Sequence, residues 1–293
     1  MRLQNFIPTG HLWDNAISIL NARKRLGYWP NPKRPQTFNE FILAQKWQFQ
    51  GDIELARRTT DKAEIKTWLA EKKLDHLIVP TVGVFDTIEE IRGFSFEGTV
   101  IAKSTHGSGA AIIRTAQNGK AFSEADLKLF QSWLHEDYYI RSRENNYKDL
   151  PRRIIVEPML KGEDGAPPKD YKIACINGEP FVIQVDIDRF GDHTRQLYTP
   201  DWTLLDFSMM YPRNPIKAEK PALLDEALET ARSLAQGFGF LRVDFYFLSS
   251  ALKLGELTYF PGNGAEIFVP PAADADLGAI IAATKAKNLR HGA

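Results

Sequence analysis

The sequence predicts an α+β fold, and three observations predict it. Asn177-Gly178 lies between two apolar runs at 172–176 and 180–185, the strongest short-range signal of a β-hairpin. A second strand pair, at 241–247 and 251–260, is joined by small residues around Ser249-Ser250. Capped amphipathic helices fall around these hairpins rather than after each strand. That arrangement argues against a regularly alternating parallel sheet.

Residues 1–75 read as mostly helical. Trp13, Ile17, Ile19 and Leu20 fit one helical face, and Pro30, Pro32 and Pro35 then break the chain. Thr37 opens a second helix, because Glu40 three residues on completes a capping box. Asp61 opens a helix over 62–73 in the same way with Glu64. A short strand is expected at 77–80, and a helix from Asp86-Thr87 with Glu89 and Glu90 in its first turn, where carboxylates meet the positive end of the helix dipole. An apolar strand over 99–102 ends at Lys103, the small-residue loop 104–109 follows, and 110–114 continue as a strand. Asn118-Gly119 marks a turn, Ser123 caps a helix from Glu124 to about Glu136, and 153–159 read as a strand. Residues 221–238 form an amphipathic helix that leads into the strand at 241–247, and 274–289 form a closing helix.

Composition excludes several classes. The chain has 293 residues, 43% hydrophobic and 25% charged, which suits one large or two modest soluble domains. Lysine plus arginine and aspartate plus glutamate both number 37, so no basic excess supports a nucleic-acid partner. An anionic small molecule needs only a local basic cluster. Cys175 is the only cysteine, which excludes an internal disulfide framework. In its apolar run it reads as a small core residue rather than a nucleophile. No run approaches the roughly 20 apolar residues that cross a bilayer, and no signal peptide is apparent. A reduced, cytoplasmic protein without an integral membrane segment is the expectation.

Strand alternation lets the terminal hairpin present Asp244 and Glu256 side by side on one face. Two carboxylates on an apolar sheet are costly unless something positive neutralises them. Mg²⁺ bridging nucleotide phosphates would do so; structural ion pairs with Arg242 and a lysine are the other reading. Lys103 precedes His106-Gly-Ser108-Gly109, whose backbone N–H groups can form an anion nest, although an ordinary hairpin turn has the same composition. The loop is neither a Walker loop nor a dinucleotide fingerprint. Lys172 would need an anion on a sheet interior and nothing on an outer face. Residues 156–160 form an apolar hinge with one embedded acid, Glu157. Such a hinge can hold adenine, with the Pro158 C=O and Leu160 N–H pairing its edge, or be a plain strand ending at Pro158. Asp186 and Asp188 lie two apart, near Arg189 and Arg195; they read as substrate-side charge or as a solvated face. His106 is the histidine placed for function. No His/Cys cluster suggests zinc and no nucleophile elbow suggests a serine hydrolase.

The order of these pieces resembles the TupA-like ATP-grasp family, linked to teichuronopeptide and other surface-polysaccharide synthesis. The stretches that carry the resemblance are PQTFNE at 35–40, TDK at 60–62, IAKSTHGSG at 101–109, YK at 147–148, PRRIIVE at 151–157, DYK at 170–172, INGEP at 176–180, DR at 188–189, DW at 201–202, RVDFY at 242–246 and GELT at 255–258. The resemblance implies two α+β lobes clasping ATP, at 76–157 and 158–293, after a short helical region at 1–75. It implies that Lys103 and Lys172 hold phosphates, with Ser108 and Gly109 in the covering loop. Residues 157–160 would meet adenine, with Glu163 or Asp164 near the ribose. Asp244 and Glu256 would bind one or two Mg²⁺, and Arg242 would face the transferred phosphate. Many ATP-grasp ligases place Asn two residues after the metal-binding Glu; this chain has Thr258, a weaker ligand.

The implied activity is an ATP-dependent carboxylate–amine ligase working through an acyl phosphate, with a uronic-acid or related carboxylate and an amine such as an amino acid as substrates. Lys103, His106 and Arg242 would carry the chemistry. Two other readings keep the nucleotide: a kinase of a sugar or similar hydroxyl, and a non-catalytic nucleotide-binding subunit of a glycan-synthesis complex.

Overall fold

A computed structural model describes residues 7–116, 122–162, 165, 167–188 and 191–291. In chain order the elements are α1 (His11–Leu26), α2 (Phe38–Trp47), α3 (Ile53–Thr60), α4 (Glu64–Glu71), β1 (Gly83–Phe85), α5 (Ile88–Arg92), β2 (Thr99–Ser104), β3 (Ala111–Thr115), α6 (Glu124–His135), α7 (Tyr138–Ser142) and β4 (Ile154–Pro158). After these come β5 (Asp170–Ile176), β6 (Glu179–Ile187), β7 (Thr194–Tyr198), β8 (Ser208–Met209), α8 (Leu224–Leu234), β9 (Phe240–Phe247), β10 (Leu252–Thr258), β11 (Phe268–Val269) and α9 (Ala273–His291). The chain falls into two compact units, one of residues up to 53 and from 168 on, the other of residues 54–167.

In the 54–167 unit an antiparallel sheet runs in the order β1-β4-β2-β3. Val100 and Ala102 of β2, with Ile154 and Val156 of β4, pack against Leu127 and Phe130 of α6 and Ile88 and Ile91 of α5. Alternation therefore turns Ile101 and Lys103 to the other face. The expected caps are present: Ser123 accepts from the Asp126 N–H, and Thr87 from the Glu90 N–H. Asp61 Oδ1 accepts from the N–H groups of Ala63 and Glu64 at 2.8 and 2.9 Å. The regular helix nevertheless starts at Glu64 rather than Lys62, and ends at Glu71 because Lys73 turns left-handed at φ 60°. The strand expected at 77–80 is not one. Asp75–Leu77 form a 3₁₀ turn and Pro80 has no N–H for a ladder, so the first strand starts at Gly83, paired with Val156. The turn expected at Asn118-Gly119 lies outside the described residues.

In the other unit an antiparallel sheet runs β10-β9-β5-β6-β7, with α8 packed against β5, β6 and β9 and with α9 against β5 and β6. Asn177 and Gly178 join β5 to β6 with φ of 49° and 84°, the backbone that an Asn-Gly hairpin turn requires. Thr37 and Glu40 form the expected capping box of α2. Phe38 of that helix and Leu277 of α9 line one pocket with Ala174, Val182 and Phe240 of the sheet. The sheet thus has an apolar end beneath α2 and α9. The helix expected at 221–238 is shorter, because Pro221 lies in a turn that precedes it and Gly237 takes φ 81° after it; what remains is α8. A two-stranded sheet of β8 and β11 was not signalled by any alternating run. Asp188 does not share a strand face with Asp186: β6 ends at Ile187 and Asp188 takes φ 50°.

Candidate active site

In the 54–167 unit, β2 and β4 pair with Ile101 opposite Glu157 and Lys103 opposite Ile155. Lys103 and Glu157 are therefore diagonal neighbours on the face away from α5 and α6. Lys103 Nζ donates to Glu157 Oε2 at 2.6 Å, and Lys66 Nζ, reaching from α4, donates to Oε1 at 2.5 Å. Lys66 also donates to the Val79 carbonyl at 2.8 Å. Glu157 is 4% exposed. Burial alone would raise its pKa, but the ammonium groups of Lys103 and Lys66 outweigh that and hold the carboxyl below its ordinary range. Lys66 is held below its ordinary range by the same burial, despite Glu157.

The loop after Lys103 is anchored on several sides. Lys62 Nζ donates to the Gly107 carbonyl at 2.6 Å, and the Thr105 N–H donates to Arg153 O at 3.0 Å. A Cβ on Gly107 would lie 3.1 Å from the Tyr138 ring, so glycine lets that ring close on the loop. His106 is buried, with Nε2 3.0 Å from the Trp133 carbonyl and Nδ1 3.2 Å from Ser104 Oγ. A carbonyl only accepts, so Nε2 carries the proton and Nδ1 accepts from the serine hydroxyl. Burial keeps the ring's pKa below its ordinary value. Both nitrogens are thus engaged in holding the loop. Ser108 and Gly109 are exposed at its tip, Gly109 at φ 81°. Beyond Pro158, the Met159 N–H donates to Thr99 O at 2.9 Å, and Leu160 is half-buried. Glu163 and Asp164 lie outside the described residues.

In the other unit, strand register builds one polar row. Glu256 pairs with Asp244, Asp244 with Lys172, and Lys172 with Gln184, across β10, β9, β5 and β6. A second row joins Asp170, Asp186 and Arg195. Lys172 Nζ lies 3.2 Å from Asp244, 3.3 Å from Asp170 and 3.6 Å from Asp186. Burial would depress its pKa, but Asp244 and Asp170 hold it above the ordinary value, so Lys172 is a buried ammonium. Burial likewise would raise the Asp186 carboxyl, and Lys172 and Arg195 bring it well below its ordinary range. Arg242 forks onto Asp244 with two bonds of 2.7 Å and reaches Thr258 Oγ1 at 3.1 Å and Glu256 Oε1 at 3.5 Å.

The facing of Asp244 and Glu256 depends on a bulge. From Leu252 to Leu254 the β9–β10 register runs evenly, then shifts by one at Gly255. Without the shift Glu256 would pair with Val243 and point to the opposite face. A Cβ on Gly255 would lie 3.3 Å from the Asp244 carbonyl oxygen and 3.1 Å from the Tyr246 ring; glycine lets the strand kink there.

The sequence matches the family described as TupA-like ATPgrasp over residues 44–282. The chain belongs to the TupA-like ATP-grasp family. No curated protein shows significant sequence similarity to it. Among solved structures it is similar to a D-alanine–D-alanine ligase from Bacillus anthracis, with TM-score 0.41 and 15% identity, covering 80% of this chain and 70% of that one. It is similar to a D-alanine–D-alanine ligase from Helicobacter pylori, with TM-score 0.42 and 15% identity over 78% of this chain and 61% of that one. A D-alanyl-alanine synthetase A from Vibrio cholerae gives TM-score 0.41 and 12% identity over 76% and 62%.

Within this TupA-like ATP-grasp chain, the structure brings Lys103 to Glu157 in one unit, and Lys172, Arg242, Asp244, Glu256 and Thr258 together in the other. Sequence reasoning gave no site role to Lys66, Asp170, Gln184 or Glu266. Polar residues spaced two apart in apolar strands (170 and 172, 184 and 186, 242 and 244) were the available signal for one shared polar face. Lys66 sits on a helix whose pattern carries no such mark.

Proposed function

We propose that this chain is an ATP-dependent carboxylate–amine ligase that forms an amide through an acyl phosphate, with Mg²⁺ as cofactor. The observation that carries the reading is the row of Glu256, Asp244 and Lys172 on one sheet face, with Arg242 forked against its acids. Structural ion pairs alone do not call for two acids and a buried ammonium on one row with an arginine beside it on the same face.

The donor set suits Mg²⁺. Asp244 and Glu256 offer hard oxygens on one face, and Thr258 Oγ1 lies 3.1 Å from Glu256 Oε1. Among the described residues no group of three or more His, Cys, Asp or Glu side chains forms a metal cage. Mg²⁺ needs none, because it keeps waters and substrate phosphates as ligands. When bound there, it would supply neutralisation of phosphate charge.

The chain's own groups do the rest. Lys103 and Lys172 act as point charges for ATP phosphates, Lys103 exchanging Glu157 for a phosphate oxygen. The hinge of Glu157, Pro158 and Leu160 meets adenine. The loop at Ser108 and Gly109, held from behind by His106, covers the phosphates and excludes water that would hydrolyse an acyl phosphate. A substrate carboxylate oxygen attacks the γ-phosphorus and ADP leaves, with Arg242 and the lysines stabilising the charge that develops on the transferring group. An amine then displaces phosphate. A uronic-acid carboxylate of a surface glycan and an amino acid are the substrates we propose, in the cytoplasm. The support for that pair is the family's association with surface-polysaccharide synthesis, since a fold alone does not select a substrate. Among the described residues no helix is long and apolar enough to cross a membrane.

The test is a panel of amino acids against uronic-acid sugars, read by ADP release and product mass. Lys103→Ala and Glu256→Gln should each abolish ADP release with the fold intact; full activity in either overturns the site. A phosphorylated sugar formed without any amine would make the chain a kinase. ATP binding with no turnover across the panel would make it a nucleotide-binding subunit.

A further inference from the structure

Just past β10, Pro261–Gly264 form a 3₁₀ turn in which Gly262, Asn263 and Gly264 take φ of 54°, 56° and 68°. Glu266 follows, and its backbone is clamped by one side chain. Its N–H donates to Asn39 Oδ1 at 2.7 Å, and its carbonyl accepts from Asn39 Nδ2 at 2.8 Å. Asp274 in turn holds Asn39, accepting from Nδ2 at 2.9 Å and from the backbone N–H at 3.0 Å. This accounts for the asparagine in the PQTFNE stretch, which the ligase reading leaves unused. The Glu266 side chain folds back over Gly262, where an added Cβ would fall 2.5 Å from its carboxyl carbon. Only glycine at 262 leaves the carboxyl its place.

The residue is 8% exposed, and its carboxyl makes no hydrogen bond or ion pair among the described residues, although neither oxygen is fully sealed from solvent. Three arginines act on it from a distance, Arg195, Arg242 and Arg25. Arg195 is committed to Asp186 at 2.6 Å, Arg242 to Asp244 through two bonds, and Arg25 is exposed, so solvent screens it. Burial pushes the Glu266 carboxyl above its ordinary range. A buried carboxylate without a committed counter-charge is costly, and the group that would relieve it is a cation. An anion entering here would meet both Glu266 and Asp186.

We infer that Glu266 is the amine subsite of the ligase: its carboxylate binds the ammonium of a primary-amine substrate and takes a proton from it. This rests on the ligase reading and adds the residue that selects the second substrate. One N–H bond of the ammonium breaks and its proton passes to Glu266. The freed lone pair forms the C–N bond at the acyl carbon, the C–O bond to phosphate breaks with its electron pair leaving on phosphate, and a second N–H bond breaks, its proton passing to that phosphate, which departs as hydrogen phosphate. Glu266 then releases the proton to solvent.

The test uses the full chain labelled with [¹³C]glutamate, with the Glu266 carboxyl resonance assigned by its loss in Glu266→Gln. Ethylammonium chloride, sodium acetate and sodium chloride are titrated at matched ionic strength. Ethylammonium should shift the resonance saturably, and Glu266→Gln should weaken its binding at least about tenfold, as loss of one charge-assisted hydrogen bond requires. No shift with ethylammonium, or saturable binding of acetate instead, overturns the inference. Should Glu266→Gln not fold, Gly262→Ala retains every charge while displacing the carboxyl. It should weaken ethylammonium binding, and unchanged affinity overturns the inference. In turnover, loss of a proton acceptor should lower amide formation roughly 10²–10⁴-fold; amide formed at the wild-type rate by Glu266→Gln defeats the subsite and leaves the ligase intact. Ethylammonium bound at Glu266 with no ADP released from any carboxylate upholds the subsite and defeats the ligase.

Discussion

Glu157→Gln removes one negative charge from beside two ammonium groups. The wild-type carboxylate accepts bonds of 2.5 and 2.6 Å from Lys66 and Lys103, whose side chains are each 15% exposed, while its own side chain is 5% exposed. Hydrogen bonds to charged groups contribute about 1.5–3 kcal/mol each. The glutamine oxygen keeps one of them in neutral form, and its NH₂ faces an ammonium. Breaking a buried ion pair from one side costs about 3–5 kcal/mol, so that is the expected loss, on the order of 10 °C in Tm. Urea titration of wild type and variant from pH 7 to pH 3 measures it. The folded pKa of Glu157 lies below its ordinary 4.5. Its stabilisation is therefore fully present above that value and is lost as pH falls through the folded pKa. The gap between wild type and variant should stay constant above about pH 5 and close in stronger acid. ATP should narrow it at pH 7 if Lys103 exchanges Glu157 for phosphate. A gap below about 1 kcal/mol at pH 7, the size of a solvated surface pair, would refute the reasoning. So would a gap that persists unchanged to pH 3.

Lys172→Met should cost about 3–5 kcal/mol at pH 7 by leaving acids buried without their shared cation. In wild type the folded pKa of Lys172 is raised, so its contribution is present below the ordinary lysine pKa and lost as pH rises through the folded value; denaturation at pH 7 and in strong base checks both. Gly255→Ala forces a Cβ against the Asp244 carbonyl and the Tyr246 ring. It should cost about 1–3 kcal/mol as overpacking and cut ADP release more than ATP affinity by turning Glu256; equal rates would separate the bulge from the site. His106→Ala should destabilise by about 1–3 kcal/mol through the orphaned Trp133 carbonyl, and impair turnover more than nucleotide binding. Because burial lowers the His106 pKa, wild-type stability should fall as pH drops through 6.5 and below, and the variant should lose part of that slope in urea titrations at pH 7 and 5.

Local chemistry made much of the fold legible. Thr37, Thr87 and Ser123 cap their helices because a hydroxyl three residues from a free N–H satisfies it in any context. Asn177-Gly178 turns because those two residues tolerate positive φ. Misreadings came where tertiary pairing overrode a local pattern. Apolar residues at 77–80 found no ladder, and β8 and β11 are too short to carry a period. In the site, Lys172, Asp244 and Glu256 were legible as residue types, whereas the burial of Lys172 was not.

The sequence by itself determined which chemical groups this protein owns, and, through its alternating strands, that Arg242 and Asp244 share a face. The tertiary structure decided which of those groups meet. A one-residue bulge at Gly255 sets the side on which Glu256 emerges, register between strands distant in sequence assembles three acids around Lys172, and Asn39 clamps the backbone of Glu266 across 227 positions. Side-chain direction in a strand inverts with each step of register, and register is a property of the paired sheet, not of either strand alone.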